Sequence, residues 1–67
     1  MSKREIVDQL VTTRINGNSI KGNTTYEAML KRITRDDIQS YAEEWEMPTL
    51  YGSKLDMIEQ IRDRIAG

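Results

Sequence analysis

Residues 34–65, TRDDIQSYAEEWEMPTLYGSKLDMIEQIRDRI, hold two amphipathic segments separated by a stretch that cannot be helical. Ile38, Tyr41, Ala42 and Trp45 recur at i, i+3, i+4 and i+7, which gathers them on one side of a helix. Leu55, Ile58, Ile61 and Ile65 form a second stripe of the same kind. Between them, Pro48 drives Met47 out of the helical region and Gly52 frees the backbone, so the connector is expected to be extended. Leu50 or Tyr51 should tuck inward, and Trp45, lying on the stripe, should fill the core.

The pattern Ser or Thr, two residues, then Asp or Glu marks where helices begin. It occurs at Ser2 to Glu5, Thr24 to Glu27, Thr34 to Asp37 and Ser53 to Asp56. In each, the hydroxyl can accept from the amide three residues on while the acid faces the positive end of the helix. Four such starts, each followed by apolar spacing, predict a compact all-α, four-helix domain with helices near residues 3–13, 25–33, 35–46 and 54–65. Ile6, Val7, Leu10 and Val11 share a face of the first helix, and Arg14 would fall in that face, so this helix is expected to stop near Thr12 or Thr13. Tyr26, Met29, Leu30 and Ile33 form the stripe of the second. Asn16-Gly17 and Lys21-Gly22-Asn23 are turn signals; an irregular loop is preferred over a small hairpin around Asn16-Gly17.

The helix, extended connector, helix pattern resembles the SAP-like and HeH/LEM-like group of small helical modules. Ile38, Tyr41 and Ala42 carry the likeness, with Gly52-Ser53-Lys54-Leu55, Ile58 and Ile61. It spans residues 34–66, about half the chain, and leaves residues 1–33 as an amino-terminal helical extension of one 67-residue domain. The resemblance implies nucleic-acid binding for SAP-like modules, with Gly52 and Lys54 in the region that meets the backbone, and a protein partner for LEM-like ones. Fold alone does not choose between them.

Composition removes other functions from consideration. There is no cysteine and no histidine, so neither a disulfide nor the usual zinc ligands and catalytic bases are at hand. Asp36, Glu43 and Glu46 fall opposite the Ile38/Trp45 stripe, where a solvated face belongs. No phosphate-binding glycine loop, nucleophile elbow or metal-loop spacing occurs. The expectation is a noncatalytic protein with no cofactor, no metal and no small-molecule substrate. Charged Lys3, Arg4 and Glu5 follow Met1 and no apolar run is long enough for a leader or a membrane span, which reads as cytoplasmic.

Charge carries the functional expectation. Residues 1–35 hold seven basic and three acidic side chains, a net of +4, whereas residues 36–67 hold three basic and eight acidic, a net of −5. Either the two halves attract each other within the fold, or one surface is left to attract a polyanion. The candidate nucleic-acid site is Gly52, Ser53 and Lys54 at the start of the last helix, extended by Lys31, Arg32 and Arg35. SAP modules that bind DNA are commonly basic, and the −5 of the second half departs from that. The alternative, ranked just behind, is a protein-binding regulator or inhibitor of the kind a phage or mobile element could encode, recognising its partner through Met47, Leu50 and Tyr51.

Overall fold

Four helices are seen in the computed structural model, which describes residues 2–67: α1 (Lys3–Ile15), α2 (Thr24–Lys31), α3 (Arg35–Glu43) and α4 (Lys54–Ala66). No strand occurs among the described residues. Three of the four expected caps form as full boxes. Ser2, Thr34 and Ser53 accept from the amides of Glu5, Asp37 and Asp56, and each acid returns to the amide of the capping residue. The fourth is displaced by one residue. Asn23, not Thr24, caps α2, its Oδ1 accepting from the Tyr26 amide at 3.2 Å. Asparagine is the stronger N-cap, and its choice starts the helix one residue earlier.

The first helix outruns its expected end at Thr12 or Thr13 by a turn's fraction, because Arg14 is accommodated rather than excluded. Its stem lies along the buried face while its guanidinium pairs with Glu59 of α4 and donates to the Asn18 carbonyl at 2.8 Å. Thr13, also buried, donates its hydroxyl to the Gln9 carbonyl at 2.8 Å. Gly17, at φ 83°, then ends the helix, with Gly17 N–H donating to Arg14 and Asn18 N–H donating to Thr13. Asn16-Gly17 is therefore a helix stop and not a hairpin turn. The loop that follows keeps Ile20 fully buried.

The third helix stops three residues short of the expected Glu46. Glu44, Trp45 and Glu46 donate to carbonyls only three residues back, and Met47 N–H reaches the Ala42 carbonyl at 3.3 Å across a left-handed Glu46 at φ 57°. This tightening swings Trp45 off the stripe of Ile38, Tyr41 and Ala42. Trp45 ends 39% exposed, against the expectation that it fills the core. Leu50 of the connector and Met57 of α4 are buried in the core cluster instead.

Glu46 occupies a position that favours glycine and has no partner for its own side chain among the described hydrogen bonds and ion pairs. Glu46→Gly removes a left-handed penalty of about 1–2 kcal/mol and gives back roughly 0.4–1 kcal/mol through the freer unfolded chain. The substitution should therefore stabilise by about 0.5–1 kcal/mol, read as a rise of several degrees in the thermal midpoint. A fall in the midpoint would show that this carboxylate has a role the fold conceals.

A single apolar cluster joins the helices. Ile6, Val7, Leu10 and Val11 of α1 meet Ile38, Tyr41 and Ala42 of α3 and Met57, Ile58 and Ile61 of α4, with Ile20, Ile33 and Leu50 supplied by the connections. α1 contacts all three other helices, α4 most extensively, so the amino-terminal helix is structural to the core. α2 buries no residue completely; it lays Tyr26, Met29 and Leu30 along the cluster edge. No helix of the described residues is long and apolar enough to cross a membrane.

Candidate nucleic-acid interface

Of the connector between α3 and α4, only part faces inward. Leu50 is 5% exposed and its amide donates to Gln39 Oε1 of α3 at 2.8 Å, whereas Tyr51 is 74% exposed. Leu50 is thus a core residue and cannot present its side chain to a partner, which corrects its place among the protein-binding candidates. Met47 is half-buried against the cluster, leaving Tyr51 and the edge of Trp45 as the exposed apolar groups of this region.

Folding consumes a share of the charge division within the molecule. Arg4 of α1 forms a two-pronged pair with Glu44, its Nε donating at 2.9 Å and its Nη2 at 2.8 Å, and lies over the Tyr41 ring at 5.6 Å. Lys3 approaches Asp37 at 3.9 Å and Arg14 pairs with Glu59. The hydrogen bond from Arg4 holds the Glu44 carboxyl below its ordinary range and, reciprocally, raises the guanidinium. The Asp37 carboxyl is held low first by the Thr34 amide and then by the Thr34 hydroxyl and the nearby cations Lys3 and Lys54. All three cations of α1 thereby face acids of the second half, so the attraction between the halves operates within the fold.

Of the cations left over, Arg64 stands apart in the last turn of α4. Lys31 in the last turn of α2, Arg32 at its cap and Arg35 in the first turn of α3 are exposed and take part in no ion pair among the described residues. The buried Ile33 pins the turn between them, so three guanidinium and ammonium groups stand within five residues around one anchored side chain. Lys54 joins this cluster from α4: its Nζ donates to the Leu30 carbonyl at 3.3 Å, at the negative end of α2. One ammonium proton is used there, and two remain for an anion.

Two of the sequence-identified groups are placed less openly. The Ser53 amide donates to Asp56 Oδ2 at 3.0 Å, so the start of α4 already holds a carboxylate. Gly52, at φ 88°, lies so close to Asp56 that an added Cβ would come within 2.6 Å of Oδ2. The glycine is needed for the turn onto the capping box, and the Ser53 amide is spent within that box. Lys21 lines a shallow cavity with Arg14, Leu55 and Glu59, exposed and in no ion pair among the described residues. Only its position in a turn, Lys21-Gly22-Asn23, could have hinted at its exposure.

Opposing these cations are Glu27, exposed on α2 one turn before Lys31, Asp36, exposed beside Arg35, and the capping carboxylates Asp37 and Asp56. The two caps are already engaged by amides and hydroxyls, which draws their negative charge toward the helix ends. No group of three or more acidic side chains positioned to hold a metal ion occurs among the described residues. Comparison with protein-family models, with curated proteins and with solved structures finds no match for this chain.

Proposed function

We propose that this protein is a noncatalytic nucleic-acid-binding module that contacts the phosphate backbone, with residues 34–66 acting as a SAP/HeH-like unit. The observation that carries the reading is the segregation of cations. Those of α1 are occupied by acids, while Lys31, Arg32 and Arg35, exposed and in no ion pair among the described residues, gather with the half-buried Lys54 where α2 ends and α3 and α4 begin. Exposed cations not held in ion pairs lower the free energy of a polyanion nearby and release its counterions on contact. The extended connector between α3 and α4, pinned at Leu50, supports the helix, extended loop, helix likeness.

Affinity should be modest, insensitive to sequence and steeply salt-dependent. Three or four neutralised phosphates imply a log-log slope near −3 to −4 on duplex DNA. Arg32→Glu with Arg35→Glu alters two exposed, unpaired side chains, so the fold should persist while the slope becomes shallower by about two and affinity falls at least tenfold at low salt. Arg64→Glu serves as the control, since ten residues of α4 place it about 15 Å from Lys54. Equal losses from both variants, or no binding of DNA or RNA at about 50 mM salt, would refute the reading. A protein partner recognised through Tyr51 and the exposed edge of Trp45 would then take its place; the exposure of those two aromatics is the observation favouring it.

A further inference from the structure

Tyr51 is the most exposed large apolar side chain of the fold, yet its backbone is among the best-held parts of the connector. The Tyr51 carbonyl accepts from Gln60 Nε2 of α4 at 2.7 Å. On one side Leu50 is sunk in the core with its amide on Gln39; on the other, Gly52 turns the chain directly into the Ser53 capping box. No hydrogen bond of the Tyr51 hydroxyl and no burial of its ring contributes to this arrangement. The fold therefore holds the backbone beneath an exposed aromatic ring that stability does not require. Three residues separate it from Lys54, so at most about 11 Å of chain lies between the ring's Cα and that of the nearest cation of the cluster.

An exposed aromatic on a held backbone, near a patch of cations, is the pairing that suits a single strand. The cations follow the phosphates, and the ring takes the face of a base that is not stacked in a duplex. In a duplex the base faces are covered by their neighbours, and Tyr51 would have only edges and sugars to touch. We propose that Tyr51 is a stacking platform and that the preferred ligand of this module is an unpaired stretch of nucleic acid. This rests on the nucleic-acid reading above, and extends it from phosphate contact to the kind of strand recognised.

The test uses the full chain with fluorescently labelled oligothymidylate and oligouridylate of about 16 nucleotides, a length at the upper end of the site sizes of small single-strand binders. A mixed-sequence duplex of the same length is titrated in parallel, and anisotropy is read at several salt concentrations. The wild-type protein should bind the single strands more tightly than the duplex. Tyr51→Ala should weaken single-strand binding by about fivefold to a hundredfold, leave duplex binding within about twofold, and leave the salt slope unchanged because no charge is removed. Tyr51→Trp should retain single-strand affinity. Tyr51→Ala with undiminished single-strand affinity, an equal loss on both ligands, or a wild-type preference for duplex would each overturn the stacking role while leaving phosphate contact intact, provided Arg32→Glu with Arg35→Glu still weakens binding at least tenfold at low salt. Failure of the wild type to bind any of the three probes overturns both readings together.

Discussion

Leu50→Asp is expected to unfold the domain, whereas Tyr51→Asp, one residue along, should leave the thermal midpoint within a few degrees of the wild type. Leu50 is 5% exposed and lies in the cluster with Ile38, Ile58 and Ile61. Removing a buried leucine side chain alone costs about 2–5 kcal/mol, and seating an unpaired carboxylate there costs more, with no cation of the described ion pairs in this region to receive it. A domain of 67 residues has roughly 3–10 kcal/mol of stability to lose. Tyr51 is 74% exposed, and its backbone contact with Gln60 does not depend on the ring. Circular dichroism melts of the two variants decide the matter: a Leu50→Asp protein that melts like the wild type would remove Leu50 from the core. Were Tyr51→Asp to collapse the fold instead, its suitability for contacting any ligand would be lost with it.

Alkaline pH should destabilise the fold through Tyr41. This side chain is 4% exposed, and its hydroxyl donates to Asp8 Oδ1 at 2.7 Å. Burial, reinforced by the Asp8 carboxylate, pushes its pKa up to about 12, although Arg4 over the ring acts in the opposite direction. An unfolded tyrosine titrates near 10. Between about pH 10 and 12 the unfolded chain releases this proton while the folded chain keeps it, so stability falls as pH rises through that window and is complete below it. The loss should reach roughly 2–3 kcal/mol. Denaturant melts of the wild type and of Tyr41→Phe isolate the effect, because every lysine and the other two tyrosines titrate in both proteins. Tyr41→Phe should begin about 1 kcal/mol less stable and then lose less across the window. Parallel pH profiles for the two proteins would show that this hydroxyl ionises freely in the fold.

Both expectations depend on contacts of different reach, and the same division separates what was legible in the chain. The existence of four helices, three of their caps, the extended run at Met47-Pro48 and most of the core face of each helix follow from spacings of two to seven residues. Hydrogen bonds to the third amide and stripes at helical period are local, so a one-dimensional pattern suffices to specify them. The net charges of the two halves were equally open to view.

Tertiary structure decided where the elements stop and what the charges meet. Arg14 extends α1 because Glu59, 45 positions away in the chain, waits on α4. Trp45 leaves the core because the last turn of α3 tightens toward a left-handed Glu46, and Leu50 and Met57 take the interior. The pairing of Lys3, Arg4 and Arg14 with Asp37, Glu44 and Glu59 depends on how α1 lies across α3 and α4, a geometry no local pattern encodes. Only that packing distinguishes the cations that neutralise the fold from Lys31, Arg32, Arg35 and Lys54, which remain together at its edge. Sequence alone determined how many charges each half carries; the burial of one shared core determined which of them face water.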